Sequence, residues 1–269
     1  MTPRRRPIAP RLRAWGLGLY VAIAFGFLLL PVAVIALASL SATSYLTVPP
    51  RGVTLRWFAA VLGDREYVAA ILVSLALAAA ATLGSLAVGT AAAYALVRRV
   101  VPGREAVAAL LMAPLVFPGV VIGVALLQFY SRLGFGSTFA GLLLAHMAIT
   151  LPYVVRAILA SLEGVDAEIE DAARVLGAGP WTAFRTVTLP IIRPGVAAGG
   201  LFSFIVSFDN VPVSIFLLAP GQMTLPVKIF TAIEYGVDPT VAAVSTMLIV
   251  ATGLFLVAAE RWIGFHRFV

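Results

Sequence analysis

Cysteine is absent from the 269 residues, which removes disulfides, thiolate nucleophiles and cysteine metal sites. Lysine occurs once, as Lys228 after Val227, so there is no Gly-Lys-Ser/Thr loop of the kind that cradles nucleotide phosphates. The two histidines, His146 and His266, do not form an HExxH zinc helix, and no serine sits in a GxSxG elbow. The sequence thus assigns no catalytic residue, no metal site and no cofactor. Charge is also scarce, at 12% of side chains.

What is abundant is apolar surface. At 61% hydrophobic residues, the chain carries more than one soluble core of this size buries, so its solvent is a lipid bilayer. Six apolar stretches are long enough to cross about 30 Å of hydrocarbon as helices: roughly 15–41, 67–97, 105–130, 137–160, 195–218 and 241–263. The expected fold class is an all-α integral membrane protein with six transmembrane helices. The net charge of +7 does not indicate nucleic acid, because the basic residues are divided by loop rather than gathered on one face. With the N-terminus inside, the cytoplasmic side holds Arg4, Arg5, Arg6, Arg11, Arg13, Arg98, Arg99, Arg104, Arg156, Arg174, Arg185, Arg193, Arg261 and Arg267. Only Arg51, Arg56, Arg65, Arg132 and Lys228 lie outside. The positive-inside rule then places both termini in the cytoplasm. The first apolar run is too long for a signal-peptide core and reads as an uncleaved anchor. The expected layout is a cytoplasmic tail over 1–14, a six-helix membrane domain over 15–263 containing a cytoplasmic segment at 161–194, and a second tail over 264–269.

Within the second stretch Ala79, Leu83, Ala87 and Ala91 recur every four residues beside Gly84 and Gly89, a row suited to close helix packing in lipid. Pro114 and Pro118, followed by Gly119 and Gly123, predict a kink in the third helix, serving either packing or a pathway. Short interfacial helices are expected outside the membrane, one carrying Trp57 and Phe58 and one with Leu225, Ile229 and Ile233 on one face.

The segment "EDAARVLGAGPWTAFRTVTLP", residues 170–190, interrupts this oily chain. Asp166 is a candidate N-cap, and Glu168, Glu170 and Asp171 suit the positive end of a helix dipole. Arg174 lies four residues after Glu170, the favourable order for an ion pair. Gly177 and Gly179 stop this helix and Pro180 starts another, with Trp181, Phe184, Val187 and Thr188 at helical spacing until Leu189-Pro190 ends it. Spacing alone also fits an amphipathic pair resting at the lipid interface.

This arrangement resembles the EAA motif of ABC-importer permeases. Asp171-Ala172-Ala173, Gly177 and Val187-Thr188-Leu189-Pro190 fall at the motif's intervals, with Asp171 in place of glutamate and Val187 in place of isoleucine. "SLALAAAATLGSLAVGTAAAYALVRR" and "APLVFPGVVIGVALL" resemble the second and third helices of the same type I permeases, so the likeness covers nearly the whole chain. It implies a coupling helix that inserts into a cytoplasmic ABC ATPase dimer, with Glu170, Asp171, Ala172, Ala173, Gly177, Trp181, Leu189 and Pro190 as the coupling residues. It also implies a second permease subunit completing the pore, an extracytoplasmic solute-binding protein, and ATP hydrolysis supplied in trans. An ion-gradient-driven transporter is the contrasting class, but neither a repeat nor a set of buried acids supports it.

In the fifth helix Ser203, Ser207, Asn210 and Ser214 form a polar stripe, and Asp209 is an intramembrane carboxylate, a functional candidate by default. Close packing through the serines is the plainer reading. His146 reads as a packing histidine ahead of a solute contact. The stretch from Ser207 onward most resembles the second permease of spermidine/putrescine importers, although Asn210 stands where those carry a second acid. Aminoethylphosphonate, ferric iron and thiamine permeases are the alternatives.

Overall fold

The structure is a computed structural model that describes residues 10–98, 102–135, 137–163, 165–236 and 238–263. In chain order the helices are α1 (Pro10–Ser39), α2 (Arg56–Gly63), α3 (Arg65–Val97), α4 (Arg104–Met112, extended by a 3-10 turn over Ala113–Leu115), α5 (Gly119–Arg132) and α6 (Phe139–Leu162). Then come α7 (Ala167–Val175), α8 (Pro180–Ala183), a π-helical turn over Phe184–Thr188, α9 (Leu189–Ile191), α10 (Arg193–Phe208), α11 (Ser214–Leu217), α12 (Leu225–Tyr235) and α13 (Pro239–Ile263). No β-strand occurs among the described residues. Among the described residues four helices are long and apolar enough to cross a membrane, and the count reaches the expected six when each of two bent helix pairs is taken as one span. Most of the expected tails, 1–9 and 264–269, lies outside the described residues, and α1 already begins at Pro10.

The chain divides into two compact units, one of residues 64–231 with 255–269 and one of 1–63 with 232–254. In the first, α3, α6 and α10 pack on one another. Close approach is possible because glycine sits at the crossings. A Cβ on Gly89 would stand 2.7 Å from Val154 Cγ1, and one on Gly195 would stand 2.7 Å from the Ala157 carbonyl oxygen. Two apolar clusters result. One joins Leu77, Tyr130, Leu142, Ala145, Ile149, Val213 and Leu217, and the other joins Ala93, Val154, Val155, Ile158, Leu162, Val165 and Ile192. At the start of α3, Lys228 of α12 places Nζ 2.7 Å from Glu66 Oε2 and 4.6 Å from the Tyr67 ring centre, while Leu225 N–H donates to Ser74 Oγ at 2.8 Å.

In the second unit the expected interfacial helix is α2. Trp57 Nε1 donates to the Ser41 carbonyl at 2.8 Å, and the Arg56 guanidinium lies 4.2 Å above the indole while donating to the Ala42 carbonyl.

Two expectations are corrected and one is met. The packing row in α3 is not Ala79, Leu83, Ala87 and Ala91, which are all exposed in this chain, but Ser74, Ala78, Ala81, Ser85, Gly89 and Ala93. A repeat of four in a nearly uniformly apolar helix does not say which stripe faces protein, since most stripes are small and oily. The kink expected in the third span is present and sharp: α4 and α5 are bent by 105° around Val116–Pro118, because Pro118 offers no N–H to continue the ladder. The fifth span stops being helical at Phe208, so the polar stripe is not carried by one helix.

The α6–α10 crossing is testable. Gly195→Val forces a side chain against backbone and is expected to cost about 1–3 kcal/mol, read as a lower thermal midpoint of the purified protein. Gly26→Val, with nothing within 4 Å of its Cβ position, leaves the midpoint unchanged. Equal midpoints would contradict the crossing.

Candidate functional site

Two groups of candidate residues belong to the larger unit. The first is the helix–turn–helix from Ala167 to Ile191. Asp166 caps α7 as expected, its carboxylate accepting from Glu168 N–H at 3.2 Å. The helix ends in a Schellman turn: Ala178 N–H donates to the Ala173 carbonyl at 3.1 Å and Gly177 N–H to the Arg174 carbonyl at 2.9 Å. Gly177 has φ of +92°, a conformation that a residue with a Cβ enters only at a cost. Pro180 then opens α8, and the chain stays helical past Leu189 and Pro190 to Ile191. The proline does not end this helix, because it falls in the first turn of α9, where no N–H is needed.

The expected Glu170–Arg174 pair is not formed. Arg174 instead approaches Asp171 at 3.9 Å on the exposed side of α7. Glu170 is buried, with Arg98 Nε 2.9 Å from its Oε2 and Tyr94 OH donating to the same oxygen at 3.1 Å, while Thr188 Oγ1 donates to Oε1. The Arg98 N–H is not aimed at the oxygen, so that contact is ionic rather than an aligned hydrogen bond. Phe184 stands edge-on to Tyr94 at 5.3 Å and stacks with Trp181 at 5.6 Å. Glu170 therefore ties the end of α3 to α7 and to the π-helical turn. Its partner Tyr94 lies 76 residues upstream, and no local spacing marks it out from Asp171. The outward side is different. Asp171 and Ala172 are exposed, Val175 and Leu176 are 87% and 89% exposed around the turn, and Trp181 is exposed as well.

The second group surrounds the end of α10. Asp209 is its C-cap residue, with its N–H donating to the Ile205 carbonyl at 3.0 Å and its side chain exposed. Asn210 Oδ1 accepts from Val213 N–H at 3.0 Å and from Ser214 N–H at 3.4 Å, a side-chain cap that starts α11. Ser207 and Ser214, on opposite sides of the break, both reach buried His146: Nδ1 is 2.8 Å from Ser207 Oγ and Nε2 is 3.0 Å from Ser214 Oγ. Ser203 is buried one turn earlier and its hydroxyl finds no partner among the described residues. The structure thus brings Ser207, Asn210 and Ser214 together around His146 and leaves Asp209 apart. The packing reading of His146 matches its environment. Among the described residues no group of acidic and histidine side chains could hold a metal ion.

Residues 85–266 match the family described as binding-protein-dependent transport system inner membrane component. Over 243 residues the chain is 30% identical to the spermidine/putrescine transport system permease protein PotC of Escherichia coli K12, covering 90% of this chain and 92% of that protein. The putrescine transport system permease protein PotI of the same organism is 34% identical, with 86% and 85% covered. The molybdenum transport system permease protein ModB, also from E. coli K12, is 36% identical over 76% of this chain and 96% of that protein. The crystal structure of a bacterial ABC transporter involved in the import of the acidic polysaccharide alginate shares the fold, with a TM-score of 0.77 at 18% identity over 97% of this chain and 99% of that one. A chain of membrane-length helices with this match over two thirds of its length belongs to the binding-protein-dependent transport system inner membrane component family, as a multi-pass permease subunit of an ABC importer.

Proposed function

We propose that this permease imports polyamine cations such as putrescine or spermidine, taking them from an extracytoplasmic binding protein through a pore completed by a second permease subunit. A cytoplasmic ATPase dimer drives the cycle by docking on the segment from Ala167 to Ile191. In this reading residues 15–263 form the membrane domain between cytoplasmic tails 1–14 and 264–269, and the segment 161–194 faces the cytoplasm.

The observation that carries the coupling role is the two-sided build of that segment. Its outer side offers Val175, Leu176 and Trp181 around a glycine turn, and its inner side is locked to α3 through Glu170. Movement imposed on the exposed tip reaches a membrane helix through a buried ion pair instead of through solvated side chains. Asp171, Ala172 and Trp181 are the contacts offered to the ATPase. Glu170, Ala173, Leu189 and Pro190, buried or half-buried, support them from behind.

The polyamine assignment rests on the likeness to PotC and PotI along most of the chain, and on Asp209. Helix α10 has 16 residues and rises about 24 Å, less than the hydrocarbon thickness of about 30 Å. The non-helical stretch 209–213 therefore falls at membrane depth, where such backbone is tolerated only inside protein or beside water. Among the described residues no basic side chain lies within 4.0 Å of the Asp209 carboxylate. A cationic solute supplies the missing charge. The likeness to ModB favours a second reading, an anionic molybdenum-containing solute, for which an unneutralised carboxylate in the pathway is an obstacle.

Reconstitution with the partner ATPase and binding protein tests both assignments. Asp209→Asn should leave assembly and basal ATP hydrolysis intact and reduce putrescine uptake at least about tenfold, the loss of one charged contact. Unchanged putrescine uptake, or transport of molybdate by the unaltered protein, would overturn the polyamine reading. Gly177→Pro should insert normally and hydrolyse ATP without uptake, and normal uptake by that variant would remove the turn from the coupling path. Glu170→Leu strands Arg98 and is expected to destabilise the protein by about 3 kcal/mol. Adding Arg98→Leu should restore stability without restoring uptake. Full recovery of uptake in the double variant would reduce the pair to a structural role.

A further inference from the structure

The break between α10 and α11 is bridged by one side chain from another helix. His146 of α6 is fully buried and touches the last turn of α10 through Ser207 and the first residue of α11 through Ser214. Proton bookkeeping settles the direction of each bond. Ser214 Oγ donates its only proton to the Asn210 carbonyl at 2.7 Å, so toward the ring it accepts, and Nε2 carries the imidazole proton. Nδ1 of the neutral ring is then an acceptor and takes the Ser207 proton. The backbone at His146 is tied to α3 as well, since Thr150 Oγ1 donates to the His146 carbonyl at 2.8 Å and lies 2.8 Å from Ser85 Oγ of α3. On another side of the break, Gly123 of α5 lets its helix close on the turn: a Cβ there would stand 2.9 Å from the Pro212 carbonyl oxygen and 3.2 Å from Val213 Cα. Within the turn Asn210 Oδ1 is held by the Val213 and Ser214 N–H groups, while among the described residues the Asp209 carboxylate has no hydrogen-bond or ionic partner.

We infer that His146 is a positioning residue for the transport pathway, clamping the two ends of the broken helix so that the Asp209 carboxylate is presented at a fixed place. The role in transport rests on the pathway reading of Asp209, whereas the clamp itself does not. Neutral donor and acceptor are both required at this position, about 2.2 Å apart, and among the other side chains the amide of glutamine offers the same pair at the same spacing.

The absence of cysteine makes the clamp measurable without transport. Asp209→Cys provides the only thiol of this chain, whose reaction rate with a small thiol reagent, followed by the mass of this subunit alone, reports how residue 209 is presented. In the assembled complex, adding His146→Leu should change that rate about tenfold, as expected when one buried polar partner is lost. Adding His146→Gln should return it to within about twofold. Equal rates with histidine and leucine at position 146 overturn the inference. So does a change that glutamine fails to reverse while the three proteins have the same thermal midpoint. Uptake gives the second arm. With Asp209 intact, His146→Leu should raise the KM for putrescine more than it lowers kcat, and in an Asp209→Asn background it should add little further, because the two act through one carboxylate. A labelling change together with unaltered uptake by Asp209→Asn would retire the pathway reading and leave the clamp standing. Fully additive effects on KM would show that His146 does not work through Asp209.

Discussion

A backbone amide in hydrocarbon has no water to fall back on, and this requirement governs the larger unit of the permease. Each unpaired N–H or C=O at membrane depth costs several kcal/mol, so an interrupted helix needs substitutes for every bond it gives up. At 209–213 the Asn210 side chain supplies two of them and the Ser214 hydroxyl a third, while Asp209 N–H remains on the Ile205 carbonyl. At 116–118 the cost is kept low by proline, which has no donor to lose, and by turns that close Val116 N–H on Ala113 and Ile122 N–H on Pro118. The two interruptions are neighbours, with Gly123 against Pro212 and Val213. At the break over 209–213 the polar side chains of Asn210 and Ser214 serve the backbone, whereas the break at 116–118 is made without any polar side chain.

Distance along the chain explains what the sequence disclosed. The cap at Asp166, the turn at Gly177 and the restart at Pro180 were legible because each depends on residues within one turn of each other, and the span count because it depends only on the length of each apolar run. The short helices around Trp57 and Leu225 were legible for the same reason. The places where reading failed depend on distant partners. Glu170 looks like a surface acid among other surface acids until Tyr94 and Arg98 are brought to it from α3. The serines of the fifth span sit at helical spacing, yet Asn210 ends the helix by capping the next one, an alternative that short polar side chains always offer. In α3 the periodicity of small residues was real but ambiguous, since a helix with little amphipathic contrast carries several equivalent stripes.

The helix–turn–helix from Ala167 to Ile191 and the group at the end of α10 differ in how they hold charge. Glu170 has a cation, a phenol and a hydroxyl gathered around it, and burial strengthens their hold because the local dielectric is low. Among the described residues Asp209 is supported only through its backbone. One carboxylate is built to stay, and the other is left available. The contrast arises from neighbours rather than from residue type, so composition alone would have ranked the two acids together.

The engagement of Lys228 with Glu66 and Tyr67 has a practical side. Because the chain has a single ε-amine, reductive methylation with isotopically enriched formaldehyde keeps its charge and introduces one side-chain methyl resonance, apart from any at the α-amine. The aromatic ring 4.6 Å away imposes a ring-current displacement on that signal. The permease therefore contains a ready spectroscopic reporter on whether α12 and the start of α3 are joined or parted, without a foreign label.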